Sequence, residues 1–213
     1  HGIKIAGYNE RNNIMKRILF ILVIALAASL PGMSQGSEDP FYRELGRASS
    51  QIKSLSGSFI QTKEFSSLEV KVVSKGTFRY VRNREIRFDY TVPYQMSIVV
   101  DDLTVKITTR EKTTTYPLKD QKNAMAEMAR IMNYCMKGLL HELKAKYDLA
   151  YTSDGPYHRI MITNRKDDPG NTFDRITLKF TREHSALEEM VIHEKSGYVT
   201  TYVFSGLAVN VAL

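Results

Sequence analysis

The stretch Leu68–Arg82, LEVKVVSKGTFRYVR, alternates with a period of two. Its even positions read Leu68, Val70, Val72, Ser74, Gly76, Phe78, Tyr80 and Arg82, while Glu69, Lys71, Lys75 and Arg79 occupy odd ones. Successive side chains of a strand point to opposite faces, so this run predicts one dry and one wet face. The pattern recurs on both sides of it. Ile86, Phe88 and Tyr90 oppose Glu85, Arg87 and Asp89, and Leu103, Val105 and Ile107 alternate with Thr104, Lys106 and Thr108. Further strands are expected at 146–152, 157–163, 174–180, 187–193 and 198–205. Asp101-Asp102, Asp154-Gly155-Pro156, Asp168-Pro169-Gly170 and Ser196-Gly197 supply turn chemistry between them.

Two segments read as helix. Phe41, Leu45, Ala48 and Ile52 form one apolar stripe behind Asp39, a cap, and Pro40, suited to a first turn. Between the two groups of strands, Lys119 to Leu143 carries Met125, Met128, Met132 and Met136 at helical spacing. The fold expected is mainly β with α (α+β), one large curled antiparallel sheet with few helices. Composition agrees: of 213 residues 43% are hydrophobic and 25% charged, with twelve Tyr, nine Phe and no Trp. Such a mixture excludes a disordered tail, a collagen-like rod and a polytopic membrane protein.

The start of the chain reads as an address. Met15-Lys16-Arg17 precedes Ile18–Ser29, an uncharged apolar run, and then Gly32 and Ser34 in small-x-small spacing. This describes a secretory signal peptide with cleavage after Ser34, too short for a membrane span. Residues 1–14 read as an upstream extension, leaving 35–213 as a single domain. Losing 1–34 removes Lys4, Arg11, Lys16 and Arg17 against Glu10, lowering the formal charge from +7 to about +4, too weak a bias for nucleic acid. The lone Cys135 reads as a buried apolar residue.

Roughly ten strands at about 4.8 Å spacing make a sheet about 45 Å across, and a sheet that large curls. Each helix covers a strip only about 10 Å wide. The sheet therefore closes into a barrel or stays partly open over an apolar hollow under a helical lid, and either geometry leaves a pocket for an apolar guest. By parity Arg82 shares the face of Val72, Phe78 and Tyr80. It is either a solvated rim residue or a polar latch bonding to backbone carbonyls of a covering segment. The methionine stripe packs a core, lines a lid with adaptable thioethers, or does both.

Ser58-Phe59-Ile60-Gln61, Gly76-Thr77-Phe78 with Arg82, then Phe88, Pro93 and Ile98-Val99-Val100-Asp101, resembles the LolA family of periplasmic lipoprotein carriers. The likeness is clearest over 55–110. Asn83 stands where the family prefers Pro, Phe88 where it often has Trp, and Asp102 where the turn usually has Gly. The resemblance implies an incomplete β-barrel lidded by helices, with a cavity that receives acyl chains of outer-membrane lipoproteins. It implies a lining and lid drawn from Phe59, Val72, Phe78, Tyr80, Phe88, Met125, Met128, Met132 and Met136. Arg82 would hold the lid closed and help lipid leave. The implied partners are the acylated lipoprotein or other lipid cargo, an inner-membrane donor complex and an outer-membrane acceptor, served by a periplasmic monomer that needs no cofactor. The alternative is a lipid-binding or sensing module of the same fold.

Enzyme signatures are lacking. His141-Glu142 has no second His four residues on, and His158, His184 and His193 are scattered. The expectation is a protein that is not an enzyme. A purely structural envelope protein would instead show a filled core.

Overall fold

The computed structural model describes residues 38–118, 124–165, 172–183 and 186–211. The signal peptide, the upstream extension and the Asp168-Pro169-Gly170 turn lie outside the described residues. Helix α1 (Glu38–Ser50) leads into six strands, β1 (Ser54–Phe65), β2 (Val70–Val81), β3 (Glu85–Val92), β4 (Met96–Val100), β5 (Thr104–Thr109) and β6 (Thr113–Pro117). Helix α2 (Ala124–Lys137) follows, then β7 (Tyr147–Asp154), β8 (Tyr157–Asn164), β9 (Phe173–Thr181), β10 (Leu187–Glu194) and β11 (Tyr198–Val209).

All eleven strands join one sheet in the order β6-β5-β4-β3-β2-β1-β11-β10-β9-β8-β7, and every pairing is antiparallel. The sheet curls without closing, because β6 and β7 end it on opposite sides. Two meanders, β1–β6 and β7–β11, meet where β1 pairs with β11, in register from Phe65↔Tyr198 to Leu55↔Val209 with a bulge near Gly57. The chain passes between the two free edges through α2.

Alternation sets the core. Phe78 and Tyr80 of β2, Ile86, Phe88 and Tyr90 of β3, Ile98 and Val100 of β4, and Ile176, Leu178 and Phe180 of β9 are all buried. They share a concave face with Phe59, Tyr202 and Phe204. From α1 come Phe41 and Leu45, and from α2 Met128, Ile131, Met132 and Cys135, all closed off from solvent. Gly76 sits at a bulge between β2 and β3, where an added Cβ would stand 2.1 Å from the Asp89 carbonyl oxygen and 2.8 Å from the Phe59 ring. Only a residue without a side chain lets the strands approach so closely.

Three expectations need correction. The dry face predicted for the first half of Leu68–Arg82 is open instead: Leu68, Val70 and Val72 are 67%, 47% and 48% exposed. β3 pairs only with Lys75–Val81, so the start of β2 extends past its neighbour and is left open among the described residues. Asp39, expected as a cap, lies inside α1, which the described residues begin at Glu38. The helix expected over Lys119–Leu143 runs from Ala124 to Lys137 and gives way to a 3-10 turn, Leu140–Ala145. It stops at Gly138, whose φ of +72° suits the left-handed end of a helix. Residues 119–123 lie outside the described residues.

Candidate functional site

Between the two helices and the sheet lies a hollow of about 190 Å³. Its walls are apolar: Leu45 and Ile52 at the α1 end, Phe78 and Phe204 on the sheet, Met132 and Met136 on α2. The helices that roof it cross at two glycines. A Cβ on Gly138 would come within 2.7 Å of the Gly46 Cα, so the crossing needs bare backbone at that point.

Polar contacts pin the roof at three places. Arg82 follows the end of β2; its Nε donates to the Ile52 carbonyl at 2.8 Å and its Nη2 donates to the Ser49 carbonyl. Its backbone N–H also donates to the Lys53 carbonyl at 2.9 Å. The last carbonyls of a helix lack intrahelical partners and carry partial negative charge, so a guanidinium there satisfies both needs. The neighbouring Asn83 holds φ at +58°, which explains Asn rather than Pro in this turn, since proline fixes φ near −65°.

The second pin holds the end of α2. Asp101 shapes the β4–β5 turn by accepting from the backbone N–H groups of Leu103 at 2.8 Å and Thr104 at 2.6 Å. Asp102 then faces α2 and accepts from Lys137 Nζ at 2.9 Å and Asn133 Nδ2 at 3.1 Å. Those two hydrogen bonds hold its carboxyl below the usual aspartate range. The third pin holds the start of α2. Glu127 is 3% exposed and accepts from the Tyr147 hydroxyl at 2.7 Å and from Arg130 Nη1. Arg130 Nη2 in turn donates to the Leu118 carbonyl at 2.6 Å, beside the end of β6. A buried carboxylate is tolerated because it is paired and hydrogen-bonded.

Of the residues singled out from the sequence, Phe78, Met132 and Met136 line the hollow. Phe59, Tyr80, Phe88 and Met128 are buried in the adjoining core. Val72 is apart from them, in an open groove farther along the concave face. The side chain of Met125 lies outside the described residues. Arg82 grips α1, whereas the methionine helix is held by Asp102 and Glu127. Cys135 also borders the hollow, and burial pushes its thiol far above the ordinary range.

Sequence reasoning missed Glu127, whose one readable signal is an acid set within the methionine stripe. It missed the Gly46–Gly138 crossing as well. Among the described residues no three His, Cys, Asp or Glu side chains cluster as metal ligands. No described helix is long and apolar enough to cross a membrane.

An open, curled antiparallel sheet roofed by helices over an apolar hollow defines the class of fold. The chain belongs to the LolA family: residues 50–213 match the family described as outer membrane lipoprotein carrier protein LolA. No curated protein matches the sequence. Among solved structures, a chain of the Pseudomonas aeruginosa MucA/MucB complex is similar at 16% identity and a TM-score of 0.47, covering 82% of this chain. This chain spans 57% of the length of that one. A LolA superfamily protein from Nitrosomonas europaea is similar at 10% identity and TM-score 0.42, with 81% of this chain and 94% of that one covered. Lipoprotein LppX from Mycobacterium tuberculosis is similar at 12% identity and TM-score 0.40, covering 83% of this chain and all of the other.

Proposed function

We propose that this protein is a periplasmic carrier, exported by a signal peptide ending at Ser34. In this reading it shields the acyl chains of a lipoprotein and passes them from an inner-membrane donor to an outer-membrane acceptor. The observation that carries the reading is the apolar hollow between the sheet and two helices held by breakable polar contacts, in a chain of this family.

Magnitudes say how such a carrier would work. Exposing a chain of about sixteen carbons to water costs on the order of 13 kcal/mol at about 0.8 kcal/mol per methylene. An unaided crossing is therefore very slow, and a shielding hollow removes most of that barrier. The hollow at about 190 Å³ is small beside the roughly 300–1,000 Å³ of ordinary ligand pockets. The closed form thus suits an empty carrier, and a guest enters as α1 and α2 lift. Arg82 governs the α1 side of that movement, while Met132 and Met136 offer the guest an adaptable surface. Direction comes from a donor that loads and an acceptor that binds more tightly, since nothing in the carrier consumes energy.

Native mass spectrometry with lipid extraction of the purified protein tests the reading. Co-purifying acyl lipids support it. A protein that neither retains nor takes up acyl lipid, even when loaded from detergent, refutes it in favour of a structural role.

A further inference from the structure

A second hollow opens on the same concave face, toward the start of β2, whereas α1 is fastened at the end of β2. It is larger, about 670 Å³, and lined by Gln61, Val72, Ser74 and Tyr90, with the exposed Tyr94 and Arg110 beside them. A partition of rings separates it from the hollow under the helices. Phe59 stands 4.9 Å from Tyr90 and 5.4 Å from Phe88, and Phe88 stands 6.3 Å from Phe78, which borders the first hollow.

The groove is not simply apolar. Gln61 Nε2 donates to the Tyr202 hydroxyl at 3.0 Å, and Tyr202 is hydrogen-bonded to Tyr90. Burial raises both phenols, so each keeps its proton at neutral pH. The Tyr202 oxygen accepts from Gln61, and one of the two phenols donates to the other. When Tyr202 is the donor of that bond, the Tyr90 proton and the Gln61 carbonyl oxygen are left to the groove that both residues line.

We propose that this groove seats the uncharged ester head of an acylated guest, while the acyl chain runs past the ring partition beneath α1 and α2. The inference rests on the lipid-carrier reading above. The Tyr90 hydroxyl donates to the ester carbonyl, and Gln61 Oε1 accepts from a hydroxyl next to it. Three considerations favour a neutral head. Filling the groove with hydrocarbon would strand the Gln61 and Tyr90 groups without partners. A charged head would find counter-charges only at Arg110 and Glu111, both exposed to water, and none beside Gln61, Ser74 and Tyr90. Arg110 moreover donates to Gln95 Oε1 at 3.4 Å. The volume also falls within the range of ordinary ligand sites, which the first hollow does not reach.

The test uses the full chain and three probes: diphenylhexatriene, an apolar fluorophore without a head, monolauroyl glycerol, and laurate as its charged counterpart. Tyr90→Phe removes the donor, and Ser74→Phe fills the groove. Each should weaken monolauroyl glycerol binding by about tenfold while changing diphenylhexatriene affinity by less than about twofold. Wild type should prefer monolauroyl glycerol to laurate. Equal losses for both neutral probes, no loss for either, or a preference for laurate would overturn the head seat and leave the carrier reading standing. If wild type binds none of the three, both fall.

Discussion

Lys137, in the last turn of α2, donates to Asp102 in the β4–β5 turn at 2.9 Å, and Asn133, one turn earlier, donates to the same oxygen. The end of the methionine helix is thereby fastened to the sheet rim. Asp102 is 63% exposed on its side chain, so the contribution is small, about 0.5 kcal/mol. The sign follows from the lowered carboxyl: the folded pKa lies below the unfolded value of about 3.9. Its stabilisation is present above that value and disappears as pH falls through the folded pKa. Urea denaturation should show Asp102→Asn slightly weaker than wild type at pH 7, with the two curves converging well below pH 4.

Arg82 should matter more. Arg82→Leu removes the donors that the Ser49 and Ile52 carbonyls accept from, and hydrogen bonds to charged groups are worth about 1.5–3 kcal/mol. Amide hydrogen exchange in α1 should rise at least tenfold while β9 and β10 stay protected. Transfer of lipid to an acceptor should change with it, and unchanged transfer would remove Arg82 from the gating role.

Cys135 offers a direct reading of the same motion. Its thiol is buried against the hollow and held protonated, so an alkylating reagent reaches it only when the roof opens. Labelling should be slow in wild type and faster in Arg82→Leu. Loading with monolauroyl glycerol should shift both rates. Identical kinetics in all forms would mean that α2 does not move with α1.

The helix crossing makes a paired prediction. Gly138→Ala places a Cβ at 2.7 Å from Gly46 on a residue with φ +72°, and should cost about 2 kcal/mol or more. Gly46→Ala meets only the Gly138 carbonyl oxygen at 3.5 Å and gains helix propensity. It should be neutral or stabilising by up to about 1 kcal/mol. Thermal melts of the two variants check both signs.

The pattern of residues made the sheet legible because period-two alternation records burial directly, as at Phe78, Tyr80, Ile86 and Phe88. It failed at Val70 and Val72 for a physical reason: alternation names a face but not what covers it. β6, with Thr113, Thr114 and Thr115, has no apolar alternation and left no mark. Parity set Arg82 with Phe78 and Tyr80, and its guanidinium bonds to the Ser49 and Ile52 carbonyls. Which helix it would touch depends on the fold of α1 over the end of β2, a long-range relation no local spacing encodes. The Gln61–Tyr202–Tyr90 chain was hidden likewise, since β1, β3 and β11 become neighbours only when the sheet assembles.

Asn210, just past β11, accepts through Oδ1 from the backbone of Lys53 at 2.7 Å and Ser54 at 3.2 Å, and donates to the Gln51 carbonyl. The last strand thus closes onto the first, in the middle of the sheet. Until β11 pairs with β1, the two meanders would be separate half-sheets, each with an unpaired inner border. Folding therefore waits on β11, and any halt before Tyr198 would leave two aggregation-prone halves.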